Sequence, residues 1–128
     1  MMRMSPNNLL ANYPCSIVTI CSAYSEIMRV DMEEALEKCL EVCERVEPAF
    51  KNIGYLSLKE FNKVVRGMLP VKRTSYYKRG ERVSLKKLHF SGQALVCVLG
   101  HYLYLDGERY WSFFDNEGDM VVKVWEIG

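Results

Sequence analysis

The chain is 128 residues long, carries 17 Lys and Arg against 16 Asp and Glu for a formal net charge of +1, and is 49% hydrophobic. This length and balance suit one soluble domain, residues 1–128, with room for a substantial core. The near-zero charge gives no general pull toward nucleic acid or anionic lipid, and no apolar run approaches the ~18 residues of a membrane span.

Taken in chain order, the first predicted element is a helix from about Pro14 to Met28, with an apolar stripe of Ile17, Ile20, Cys21, Tyr24, Ile27 and Met28. Proline suits the helix start because its missing N–H has no intrahelical role there. The short apolar run at Ile17–Ala23 is preceded only by Arg3 as a cation. Read as a secretory leader, it would remove Cys15 and truncate the fold.

A second helix is expected from about Met32 to Val46. Asp31 and Glu34 stand at capping-box spacing, and Ala35, Leu36, Cys39, Leu40, Cys43 and Val46 share one face. Acidic residues fill the opposite face, and Pro48 closes the element. Ser57 and Glu60 repeat the capping signature before a third helix, which buries Leu58, Phe61, Val64, Val65 and Met68.

The basic block Pro70–Lys87 is expected to hold an edge strand around Ser75–Lys78 and a turn at Gly80. Beyond it the pattern is β: an apolar run from Gln93 through Leu105, a hairpin turn at Asp106-Gly107, a return strand Glu108–Phe114, and a last strand Met120–Trp125. Helices over about 14–69 followed by strands over about 70–127 make an α+β domain.

Two residues carry chemistry. Cys15 opens the first helix, where unpaired N–H groups and the macrodipole favour a thiolate. His101 lies far downstream in a strand, and an imidazole brought beside that thiol takes up its proton and returns it to a leaving group. Each also has an ordinary structural reading, the thiol as a half-buried helix residue and the histidine as a strand residue packed between tyrosines. Gly100 is read as allowing close backbone approach beside the histidine.

For a residue that orients the imidazole, Asp115 is the first choice, Asn116 the second and Ser112 the third. A two-residue turn at Asp106-Gly107 would pair residue 105 with 108 and set Ser112 opposite His101. The stretch Asp115-Asn116-Glu117-Gly118 also reads simply as a turn. Asn8 is the oxyanion-hole candidate, preferred over Asn12, which has a capping role near the helix start.

Other constellations are weaker. Five cysteines at 15, 21, 39, 43 and 97 form no CxxC pair, which fits a reducing compartment, and Cys21, Cys39, Cys43 and Cys97 read as small buried hydrophobes. Cys39 and Cys43 with His89 lack a second ligand pair, so no metal is expected, and no cofactor motif occurs. The basic stretch with Tyr76 and Tyr77 reads first as a solvated face. A lesser reading has it track a phosphate backbone or dock the acidic helix of another copy, and nucleic acid is not the expected partner.

Three pieces of the chain, Asn12-Tyr13-Pro14-Cys15, Gly54-Tyr55-Leu56-Ser57-Leu58-Lys59-Glu60-Phe61 and Leu95–Gly107, resemble the papain-like cysteine peptidase superfamily, in particular the peptidase C39-like proteins of bacteria and their phages. The resemblance implies a papain-like α+β fold, with the nucleophile helix first and the helices packed on a C-terminal antiparallel sheet. It implies a thiol protease, amidase or isopeptidase in which Cys15 is the nucleophile and His101 the base, acting on a protein or peptide. It also implies a phage-encoded setting, in the host cytoplasm or the virion. The family's acid usually follows the Asp-Gly turn closely, where this chain has Trp111 and Ser112, and its usual oxyanion-hole glutamine is absent ahead of Cys15. The alternative is a papain-like fold without turnover, acting as a binding or virion-associated protein through an aromatic hairpin of Tyr102, Tyr104, Tyr110, Trp111, Phe113 and Phe114.

Overall fold

The computed structural model describes residues 1–50 and 54–128. Among them, three α-helices and a six-stranded mixed sheet make an α+β architecture. In chain order the elements are β1 (Met2–Met4), α1 (Cys15–Met28), α2 (Met32–Val46), α3 (Leu58–Met68), β2 (Val71–Tyr76), β3 (Gln93–Val98), β4 (His101–Asp106), β5 (Arg109–Trp111) and β6 (Val121–Ile127). One-turn 3-10 segments at Asn8–Leu10 and Leu85–Lys87 complete the order.

The helices form for the local reasons read from the sequence. Asp31 accepts from the Glu34 N–H at 2.8 Å to start α2. Ser57 and Glu60 close a reciprocal capping box on α3, at 3.2 and 2.8 Å. α1 is held differently. Its residues from Ser16 to Ala23 are all buried, because it lies between the sheet and α2. Fully buried Ile17 and Ile20 each contribute about 1.5–3 kcal/mol of hydrophobic stabilisation there.

The sheet runs in the order β1-β5-β4-β3-β6-β2. An all-antiparallel sheet was expected. It is mixed instead, because Met2–Met4 pairs parallel to Arg109–Trp111. The basic block contributes its edge strand at Val71–Tyr76 rather than Ser75–Lys78, while the Gly80 turn is present, with Glu81 N–H donating to the Lys78 carbonyl at 2.8 Å.

The long apolar run from Gln93 breaks at Leu99-Gly100 into two hairpin strands, Val98 pairing with His101. Its continuous hydrophobicity follows from burial on both faces. Leu95, Tyr104 and Trp125 face the helices, where Phe61 of α3 stacks on Tyr102 at 4.0 Å and meets Trp125 edge-on at 5.0 Å. Ala94, Val96, Val98, Leu103, Leu105 and Tyr110 face the other way, under a cover of Leu85, Tyr77, Leu88 and Phe90. The basic block is therefore also the lid of a second apolar layer.

The second hairpin pairs Asp106 with Arg109, so its turn residues are Gly107 and Glu108, one position later than the Asp-Gly signal suggested. Gly107 adopts φ +62° there, a region open to glycine at little cost. The return strand stops at Trp111 instead of running to Phe114. No helix among the described residues is long and apolar enough to cross a membrane.

Candidate active site

Pro14 precedes α1 with φ −64° and ψ 157°, and it supplies no side-chain cap. Its carbonyl accepts from the N–H groups of Ile17 and Val18 at 3.0 and 3.1 Å. The N–H groups of Cys15 and Ser16 come before the first intrahelical bond, as at any helix start. No acidic residue lies in the first turn. The half-buried thiol of Cys15 thus sits at the positive end of a buried helix whose own first turn holds no carboxylate.

His101 is the first residue of β4, directly after the Leu99-Gly100 turn. By strand alternation it shares a face with Leu103 and Leu105, whereas Tyr102 points to the helices. Standing at the strand end, it nevertheless lines a cleft that the start of α1 also lines. Cys15 and His101 line one cleft of about 160 Å³, walled by Tyr13, Trp111, Phe113 and Phe114. No hydrogen bond joins the thiol to the ring. They are two walls of one space.

The ring itself is held. Its Nε2 lies 3.1 Å from Ser112 Oγ, and Phe114 meets it edge-on, with centroids 5.6 Å apart. Ser112 Oγ donates to Asn116 Oδ1 at 2.6 Å and accepts from the Phe114 N–H at 3.1 Å. Asn116 Nδ2 donates in turn to Asp119 Oδ2 at 2.7 Å. A polar chain of four side chains therefore runs from the imidazole to a carboxylate. Burial pushes the His101 titration below the ordinary imidazole value, and the Asp119 charge acts against that shift.

The surrounding groups are poorer acids than usual. Burial raises the Cys97 thiol to about 11, with Cys15 adding to the shift. Burial likewise raises the Tyr102 phenol. Both stay neutral at physiological pH, so neither competes as a base.

Of the three candidate orienting residues, Ser112 contacts the imidazole directly and Asn116 stands one link behind it. Asp115 does not reach the ring. Its Oδ1 instead accepts from the Tyr110 hydroxyl at 3.4 Å and the Glu117 N–H at 3.0 Å, so it organises the loop. The direct partner is therefore the third choice rather than the first, because β5 ends before it can carry Asp115 alongside β4. Asn8 is exposed in the first 3-10 segment and does not line the cleft, so the side-chain donor expected for an oxyanion is missing from it. The unpaired backbone N–H groups in the first turn of α1 are the donors that the helix start itself supplies. Gly100 has φ +78° and open space around its Cβ position, so the tight turn requires it, not a close approach.

The aromatic hairpin is mostly interior. Tyr104 and Tyr110 are fully buried, while Phe114 is 64% exposed. Tyr102, Trp111 and Phe113 are half-buried, so the part of the hairpin still open to contact is this group with Phe114, at the cleft. Cys39 meets Cys21 and Cys43 in the helical core, and these contacts with burial raise its thiol. His89 is exposed, in the segment covering the opposite face of the sheet. Of the three residues weighed as zinc ligands, His89 thus stands on a different layer from the two cysteines.

Two elements of the site escaped the sequence. One is β1, which fixes Ser112 from outside the hairpin: Ser112 N–H donates to the Met4 carbonyl, and the Arg3 guanidinium to the Ser112 carbonyl, both at 3.3 Å. The other is Asp119, whose only local signal is its position three residues after Asn116, where its N–H closes a turn onto the Asn116 carbonyl at 3.0 Å. No family model matches the chain, and no curated protein and no solved structure matches it.

Proposed function

We propose that this chain is a papain-like thiol hydrolase acting on an amide or isopeptide bond of a protein or peptide. The observation that carries the reading is the shared cleft: the thiol of an uncapped helix start and an imidazole fixed through Nε2 line the same small space. With Nε2 engaged by Ser112, Nδ1 is the nitrogen left for chemistry. Chain order supports the papain-like assignment, since the nucleophile helix comes first and the histidine strand follows.

In the proposed reaction the Cys15 sulfur attacks the substrate carbonyl, and backbone N–H groups at the start of α1 stabilise the oxyanion. His101 holds the thiol proton and delivers it to the departing amine as the C–N bond breaks, leaving an acyl thioester on Cys15. Water then gives a proton to the imidazole and attacks the thioester. The acid leaves, and the thiol is restored.

The cleft is close in size to the ~150 Å³ cavity that holds one benzene molecule, and aromatic side chains wall it. It therefore suits a small apolar or planar group next to the scissile carbonyl. Five free thiols fit work inside a reducing cytoplasm.

The test is alkylation by iodoacetamide at about pH 6, where ordinary thiols are almost wholly protonated. Cys15 should react faster than free cysteine, and His101→Ala should slow it at least about tenfold. A rate no higher than that of free cysteine, unchanged in His101→Ala, overturns the hydrolase and leaves a binding role for the fold.

A further inference from the structure

We propose that Asp119 is a positioning residue that fixes the tautomer of His101, through a one-way hydrogen-bond chain running over Asn116 and Ser112. The inference takes the hydrolase reading as its premise for what that tautomer serves. Its logic lies in which groups donate and which only accept.

A carboxylate has no proton to give, so Asp119 Oδ2 can only accept at 2.7 Å from Asn116. The Asn116 amide must therefore turn its NH₂ toward Asp119, which leaves its carbonyl oxygen facing Ser112. That oxygen is acceptor-only as well, so the 2.6 Å contact requires the Ser112 hydroxyl hydrogen. Ser112 has no second proton. Its oxygen already accepts the Phe114 N–H at 3.1 Å, and the remaining lone pair meets His101 Nε2 at 3.1 Å. Nε2 must supply the hydrogen.

The neutral ring therefore carries its proton on Nε2 and keeps the Nδ1 lone pair free, which is the form a general base needs. Without the charge at the far end, each link can reverse: the amide flips, the hydroxyl rotates, and Nε2 becomes an acceptor with the proton on Nδ1. The chain is also shielded where direction matters most. Ser112 and Asn116 are 2% and 4% exposed, so water has little opportunity to substitute for either partner.

The test is the ¹⁵N spectrum of the full chain at about pH 8, above the ordinary imidazole range. Long-range ¹H–¹⁵N correlations distinguish the protonated ring nitrogen from the bare one. The chain has 2 histidines, so exposed His89 is an internal control whose pattern should not change. Wild type should show His101 as the Nε2–H form. Asp119→Asn, which keeps the size but can present either an oxygen or an NH₂, should shift population to the Nδ1–H form and slow Cys15 alkylation about tenfold.

Should Asp119→Asn fold poorly, Asn116→Ala cuts the same chain at its middle and is read in the same way. A wild-type ring protonated on Nδ1 overturns the proposal, and so does an Nε2–H population that the substitution leaves unmoved. Neither result depends on turnover. A tautomer that shifts in a protein whose Cys15 reacts no faster than free cysteine would keep the relay and remove the hydrolase.

Discussion

The starts of α1 and α3 solve the same problem in opposite ways. In α3, Ser57 and Glu60 satisfy each other's backbone N–H groups, and α2 does half as much with Asp31. Such caps are worth about 1 kcal/mol each. In α1, Pro14 offers no side-chain acceptor, and the first turn holds no acid. α1 can forgo a cap because packing holds it: eight successive residues from Ser16 to Ala23 are buried, whereas α3 is amphipathic and exposes one side. Helices draw most of their stability from such burial rather than from local propensity. The helix with the deepest packing is thus the one that leaves its N-terminal donors and dipole facing a cleft, with a thiol among them.

The comparison breaks most directly at that thiol. Cys15→Ala should abolish acyl-enzyme formation and cut turnover by about a thousandfold or more, while the denaturation midpoint stays close to wild type. Intact-protein mass spectrometry with an amide or thioester probe checks the first effect and urea unfolding the second. Acyl adduct on another residue, or turnover without the thiol, would remove Cys15 from its role.

Next in size is the claim that α1 is held by packing and α3 partly by its cap. Ile17 is fully buried near the α1 start, so Ile17→Ala should cost about 2–5 kcal/mol, the range for a cavity-forming core truncation. Ser57→Ala should cost about 1 kcal/mol and leave Cys15 alkylation unchanged. Equal costs from urea unfolding would mean that the two helix starts do not differ as described.

The parts of this arrangement that were legible in the sequence are those with local causes. α2 and α3 were readable because Asp31, Ser57 and Glu60 mark their starts within four residues and Pro48 stands just after the C-cap Glu47. Cys15 was legible because Pro14 marks the start of its helix, and His101 as the histidine of a long apolar β run, though the break just before it was not. β1 was not, since Met2–Met4 is three residues long and pairs in parallel with a strand a hundred positions away. The hairpin register slipped because Asp106 stays in the ladder opposite Arg109, to which it is also ion-paired at 3.3 Å. The relay was hidden for a related reason. Its order depends on where β5 stops and on Tyr110, whose hydroxyl accepts the Asn116 N–H and donates to Asp115, both at 3.4 Å. No residue spacing encodes that fold of the loop.

His101 gives the comparison a pH dependence. Burial lowers its folded value below the ordinary imidazole range, so between the two values the unfolded chain binds the proton and the folded chain does not. Stability is fully present above about pH 6.5 and falls as the pH drops through the folded value. Urea midpoints at about pH 7.5 and about pH 5 should therefore differ more for wild type than for His101→Gln. The same direction keeps the ring neutral at physiological pH. An equal or larger drop in the variant would mean that other groups carry the acid sensitivity.

The smallest expected effect is the sharpest on the comparison itself, because it converts one helix start into the other. Pro14 already has the extended ψ of an N-cap, 157°, so Pro14→Asp can place a carboxylate on the first-turn N–H groups without moving the backbone. The new cap should add about 1 kcal/mol, and the lost proline should return about 0.4–1 kcal/mol to the unfolded chain, for a net gain of a few tenths. The introduced charge opposes a neighbouring thiolate and occupies the donors proposed for the oxyanion, so alkylation of Cys15 should slow by roughly three- to tenfold. Urea unfolding and iodoacetamide kinetics on the same preparation read both. If the variant is as reactive as wild type, the open first turn serves packing alone, and the contrast between α1 and α3 carries no chemistry.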